Sequence, residues 1–372
     1  MFELLCAILR GDAAELPNGE ARARLYALAR SHRVHLLLAW RLHNTRLPSN
    51  GGEDKAAALA PEIRVEALVD EIRVRELTRV VEALEKQGTR PVVFKGAALA
   101  HTHYAESWLR PRLDADILID PMKRTETFAC LRDLGYSRPA FISGDLVMHQ
   151  APFVRTDDAG VEHVLDVHWR IVNPHAIAGV VSSGEMYADS ATLLVNGGTL
   201  RVPLAIHALM AACVHRAAHH NDDEDLLWLY DIHLLADRLE RQEWSHFVEL
   251  ASARAVRAIC ARGLSLSVDR FRTPVPREVL ASLTRETGAG RREPSSVYLK
   301  KDLRLVTRLA SDLRALGGWA GARLIREHLF PPAEYMQEMY GVRSRALLPA
   351  FYLRRILSGA SKWVRPHGQV EK

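Results

Sequence analysis

The chain of 372 residues is long enough to bury a substantial core and to hold more than one domain. With 48% hydrophobic and 26% charged residues it has a globular composition, which excludes a disordered chain. Its 50 basic side chains nearly balance 45 acidic ones, and a formal charge of +5 does not favour nucleic acid as a partner.

Four scattered cysteines (Cys6, Cys130, Cys213, Cys260) form no CxxC pair, which argues against a structural zinc site and a disulfide framework. No uncharged apolar stretch reaches the roughly 18 residues of a membrane span. The opening "MFELLCAILRGDAAEL" is apolar but short, is interrupted by Glu3, and has no basic region before it. A secretory signal is therefore not expected, and the simplest location is the cytoplasm.

Residues 1–45 are expected to form two helices, followed by a polar break at "LPSNGGEDK" (47–55). The next stretch places Leu68, Val69, Ile72, Val80, Val81 and Leu84 on one helical face, with Pro61 at its start and Gly88 as its stop. The period then changes. "PVVF" (91–94) is strand-like and runs directly into Lys95-Gly96 and the helix-compatible "AALAHTHYA". "RLDADILID" (112–120) alternates: Leu113, Ala115, Ile117 and Ile119 face one way, Asp114, Asp116, Leu118 and Asp120 the other. Asp120-Pro121 caps a helix running to Gly135. "MHQAPFVRT" and "VEHVLDVHWRI", joined through "DDAG", predict a β-hairpin. On its second strand Val164, Asp166 and His168 oppose Leu165, Val167 and Trp169. From Pro203 onward the period is helical, most clearly over 224–239 and 244–264, with a polar linker at 284–296.

The chemistry concentrates in the strands. Asp114 and Asp116 project from one face, and carboxylates that close repel unless a cation lies between them. Magnesium prefers oxygen ligands and is typically held by a few carboxylates together with substrate phosphates. Asp166, on the polar face of its own strand, is the natural third carboxylate of a two-metal site for displacement at phosphorus. Lys95-Gly96 adds a positive charge and a close-approach turn at a helix start, both suited to phosphate. The Walker pattern is absent.

Taken together, "FKGAAL", "RPRLDADILI" and "VLDVHWRI" resemble the nucleotidyltransferases of the DNA polymerase beta superfamily. Within it, the chain looks most like the uncharacterised nucleotidyltransferase family proteins often found in bacterial polysaccharide and peptide-modification gene clusters. It is less similar to nucleotidyltransferase toxins of the abortive-infection type. The helical segments "HRAAHHNDDEDLLWLYDIHLL" and "REHLFPPAEYMQEMYG" carry the resemblance beyond the α/β core. It implies an α+β fold: a helical amino-terminal segment (1–87), a polymerase-beta-like catalytic domain (88–200) and a helical carboxy-terminal domain (201–372). It assigns Asp114, Asp116 and Asp166 to metal, and Lys95, Gly96 and Arg110 to the triphosphate. The expected cofactor is Mg2+, and the donor is a nucleoside triphosphate, with ATP foremost. A nucleotidyl group would pass to a hydroxyl acceptor: a sugar, a peptide, a protein or an RNA end. Three positions depart from the pattern. Ala97 replaces Gly or Ser, Arg112 stands where the toxins carry Ser yet adds charge for phosphate, and Ala115 replaces a bulky aliphatic residue.

His168 is weighed equally as a catalytic base or orienter and as a histidine bonded to a neighbouring carboxylate; His149 is a weaker version. His215 and His219 have zinc-ligand spacing, but Arg216 stands where a metalloprotease needs Glu, so that activity is rejected. Asp231, among apolar residues, is expected to make a buried structural hydrogen bond. The basic-aromatic tail is expected to dock on its own domain. Two rival readings use the same fold: a phosphotransferase attacking the γ-phosphorus, and a non-catalytic binding protein.

Overall fold

The computed structural model describes residues 1–12, 15–44, 59–138, 144–285, 293–300 and 303–364. The break at 47–55, residues 286–292 of the proposed linker and the last eight residues of the tail lie outside the described residues. Three helices, not two, open the chain: α1 (Phe2–Arg10), α2 (Gly19–Ser31) and α3 (His35–Asn44). The boundary between α2 and α3 has no glycine or proline to announce it; Arg33 turns the chain with a φ of 55°.

Helix α4 (Ala60–Lys86) carries its proline in the first turn and buries Val74, Leu77, Val81 and Leu84. Leu68 is 64% exposed, against the expected apolar face. Asp70 occupies a buried position on this helix instead, because Arg112 pairs with it there.

The central sheet is built from β1 (Val92–Phe94), β2 (Asp114–Leu118), β3 (Gln150–Thr156) and β4 (Glu162–His168), in the order β1-β2-β4-β3. Between them lie α5 (Lys95–Thr102) and α6 (Arg124–Asp133), the latter after a short turn in which Asp120 accepts from the Met122 amide. Strands β2 and β4 run parallel, and the other pairs are antiparallel. Register sets Asp116 beside Asp166 and Leu118 beside His168. With a two-residue repeat, Asp114, Asp116, Asp166 and His168 therefore share one face. The other face is apolar: Ile117, Ile119, Leu165 and Val167 pack with Phe153, Leu131 and Val81. Leu113 misses this core and is 79% exposed, because pairing begins only at Asp114.

Two short helices, α7 (His175–Ala178) and α8 (Ser183–Ala188), lead to a hairpin of β5 (Ser190–Val195) and β6 (Gly198–Pro203). The helical region follows: α9 (Ala205–His219), α10 (Leu226–Asp237), α11 (Arg241–Ala253), α12 (Arg257–Phe271) and α13 (Arg277–Thr284). The stretch 244–264 divides between α11 and α12 where Ala255 takes a φ of 54°. Helices α14 (Leu305–Leu316), α15 (Gly318–Leu329), α16 (Ala333–Tyr340) and α17 (Leu348–Val364) complete the described residues.

One hydrophobic cluster joins Leu5 and Leu37 of the first helices to Phe94 and Leu118 of the sheet and to Leu229 and Leu264 of the helical region. The polar face of the sheet thus looks toward α9 and α10, while α4 and α6 cover its apolar face. The architecture is mixed α+β. All four cysteines are free and buried. Among the described residues, no helix is long and apolar enough to cross a membrane.

Candidate active site

A cavity of about 350 Å³ opens between the polar sheet face and the helical region. Its size falls within the range of small-molecule sites. Asp114, Asp116, Asp166, Lys95, Gly96, Arg110 and Arg112 all line it, and so do His215 and His219 of α9. Seven of the eight residues predicted from sequence therefore meet at one place. The eighth, His168, is fully buried behind them.

Ligand atoms of Asp116, Asp166 and His168 all lie within 4.8 Å of one another, the spacing of a metal-binding group. Asp114 stands outside this trio, at the exposed start of β2, but near enough to feel both aspartates. The enclosing cleft first, and then the charges of Asp116 and Asp166, push its carboxyl above the usual range.

Asp116 is held differently. Burial pushes its pKa up, yet the Lys95 ammonium and the His168 hydrogen bond outweigh burial and keep it well below the carboxylate range. Lys95 Nζ donates to Asp116 Oδ1 at 2.8 Å, and His168 Nε2 meets the same oxygen at 2.9 Å. His168 Nε2 also lies 3.5 Å from Asp166 Oδ2. Burial and Lys95 lower the His168 pKa, but its bonds to the two aspartates prevail and raise it. Its ring packs edge-on against Phe94, and Nδ1 has no partner among the described residues. In this position His168 braces two carboxylates from behind.

Lys95 takes a φ of 51° at the β1–α5 junction. Lysine adopts this region only under constraint. Here the constraint is the bond to Asp116, made while the backbone turns from strand into helix.

Gly96 has a second reason to be glycine. A Cβ there would lie 2.5 Å from Arg110 Nη1 and 2.9 Å from its Cζ. The guanidinium cannot yield, because Asp231 of α10 grips it through Nε–Oδ1 (3.0 Å) and Nη2–Oδ2 (2.7 Å). Tyr104 Oη donates to the same carboxylate at 2.7 Å. Burial alone would lower the Arg110 pKa, but the Asp231 charge more than reverses this. Arg110 thus ties the α5 turn to α10 with its charge already neutralised. Arg112 is likewise engaged, pairing with Asp70 and lying 3.3 Å from His101 Nε2. Of the three predicted phosphate cations, Lys95 sits closest to the acidic cluster.

Sequence reasoning missed Gln150. Its Nε2 donates to Asp166 Oδ2 at 2.5 Å, and register places it opposite His168. The hairpin pairing was the signal available, since residue 150 falls on the polar face of the neighbouring strand. It also missed that three α9-end histidines would be uncharged. Burial, followed by the Lys95 charge, drives the pKa of His215 and of His219 far down. His219 Nε2 accepts from the Asn173 amide at 3.1 Å.

No curated protein sequence matches the chain. The cavity-lining side chains run from Arg33 to Asp231, and a family model spans all of them. That model, described as "Uncharacterised nucleotidyltransferase", matches residues 19–272, well over half of the chain, so the protein belongs to this family and is a nucleotidyltransferase.

Proposed function

We propose that the protein transfers a nucleoside monophosphate from a nucleoside triphosphate, ATP foremost, to a hydroxyl-bearing acceptor in the cytoplasm. In this reading residues 88–200 form a polymerase-beta-like catalytic domain. A helical segment (1–87) packs behind it, and the helical domain (201–372) closes over the acceptor.

The observation that carries the reading is the meeting of Asp116 and Asp166 on adjacent parallel strands at the floor of a ligand-sized cavity. Magnesium fits this donor set. Asp166 Oδ1 is buried with no hydrogen-bond partner among the described residues, an acceptor atom that calls for a cation or ordered water. Asp116 and Asp166, with Asp114 at the rim, would hold the metal. When bound, Mg2+ neutralises triphosphate charge and lowers the pKa of the attacking hydroxyl.

The chain itself supplies orientation and field. His168 and Gln150 fix the two aspartates from behind and beside, so little reorganisation accompanies reaction. Lys95 presents an ammonium to the polyphosphate at the start of α5, whose amide dipoles add to it. The acceptor oxygen bonds to the α-phosphorus, and the bond from that phosphorus to the bridging oxygen breaks. Pyrophosphate leaves, and the hydroxyl proton passes to solvent.

The test supplies each labelled triphosphate with Mg2+ and candidate acceptors. The expected result is pyrophosphate release with label on the acceptor, both abolished in Asp116→Asn and Asp166→Asn. Release of a nucleoside diphosphate instead, or turnover indifferent to either substitution, contradicts the proposal.

A further inference from the structure

The wall of the same cavity carries a stack of three side chains, two from the α9–α10 junction and one from the α2–α3 junction. His220, at the end of α9, lies over Trp228 of α10 with ring centroids 3.7 Å apart and planes inclined by 28°. The Arg33 guanidinium sits 4.6 Å from the same indole. Arg33 is fixed in turn by Asp225 at 3.1 Å. Asp225 also caps α10, accepting from the Leu227 amide at 2.9 Å. All three members of the stack line the cavity.

Two features set this stack apart from ordinary packing. Tryptophan usually spends its large apolar area in a core, yet among the described residues Trp228 belongs to neither main hydrophobic cluster. Arg33 reaches the stack from a backbone with a φ of 55°, a conformation that costs arginine free energy and is kept here at the cavity wall. Near-parallel aromatic rings beside a guanidinium make a flat, polarisable wall. Every nucleobase has a π-face that such a wall can bind, and a saturated sugar has none.

The geometry points to the His220–Trp228–Arg33 stack as the binding site for the nucleobase of the incoming triphosphate. This inference rests on the nucleotidyl-transfer reading and deepens it. The base packs on the stack, and the polyphosphate runs toward Lys95 and the carboxylates. His220 suits the role electrostatically. Burial, then the charges of Arg33 and Lys95, bring its pKa down to about 4, so the ring is neutral at physiological pH. The action of Lys95 on His220 also places the stack and the phosphate end within one electrostatic environment.

The experiment is calorimetric titration of the full chain, in Mg2+, with a non-hydrolysable ATP analogue and separately with inorganic tripolyphosphate. His220→Ala and Trp228→Ala are each expected to weaken the nucleotide about tenfold and tripolyphosphate by less than about twofold, the signature of one lost base–aromatic stack. Trp228→Phe, which keeps a ring, is expected to recover most of the loss. Should Trp228→Ala fail to fold, His220→Ala decides alone. Equal weakening of both ligands, or none, overturns the inference. If the unmodified protein binds tripolyphosphate as tightly as the nucleotide, the stack is overturned while the proposed chemistry stands. If it binds neither, both fall.

Discussion

At the scale of single residues, the Arg110–Asp231 pair shows how the Lys95–Gly96 turn is held by a group far away in sequence. Asp231→Ala leaves a buried guanidinium without its partner, which costs about 3–5 kcal/mol. Denaturant unfolding measures that loss directly. Gly96→Ala drives a methyl group into the same guanidinium, with an expected cost of about 1–3 kcal/mol from overpacking. Wild-type stability for this variant would show that the Arg110 contact is slack.

His149 supplies a pH prediction. It is buried, and its Nδ1 donates to the Val172 carbonyl at 3.2 Å. Burial first, and then neighbouring His175, depress its pKa to about 4. The unfolded chain binds this proton near pH 6.5 and the folded chain does not. Its stabilisation is therefore complete above about pH 6.5 and is lost as pH falls toward 4, by up to roughly 3 kcal/mol. Stability measured against pH should flatten in that window for His149→Gln; an unchanged slope contradicts the assignment.

The acidic residues were legible at this scale because a two-residue repeat states which side chains share a face. The partners of Arg110, and the Arg33 that meets Trp228, were not. They lie more than a hundred residues apart, and periodicity carries no information over that distance.

At the scale of elements, the hairpin and the parallel pairing of β2 with β4 decide the site. A shift of one residue in β4 would turn Asp166 away from Asp116 and into the apolar core. The alternation of "VLDVHW" between apolar and polar positions makes that shift costly, and this much was readable from sequence. Helix ends were read less well. The boundaries at Arg33 and Ala255 are made by non-glycine residues in left-handed conformations, stabilised by tertiary packing that local pattern does not record.

Helix α4 shows the same limit. Its apolar period continues through Leu68, but that side chain stays exposed while Ile63, Val69 and Ile72 are half-buried. Leu68→Ser should therefore change stability by no more than about 0.5 kcal/mol, while Leu77→Ala should cost about 2–4 kcal/mol. Equal effects from the two substitutions would mean that Leu68 is covered in solution.

At the scale of the whole molecule, one core links the first helices, the sheet and the helical region, although the sequence divides into stretches of different period. Calorimetric unfolding is expected to show a single main transition for this core, and two well-separated transitions would contradict the shared packing. That continuity matters for chemistry. The cavity takes Asp114, Asp116 and Asp166 from the sheet and His215 and His219 from α9, so the site exists only while the two regions stay together.

Metal binding by the paired aspartates is tested by Mn2+ titration followed by electron paramagnetic resonance, with and without a non-hydrolysable nucleotide, in the unmodified protein and in Asp166→Ala. Nucleotide-enhanced metal binding is expected in the unmodified protein, and Asp166→Ala should lose it while its circular dichroism stays native. Equal Mn2+ affinity in the two proteins would contradict metal binding by the pair.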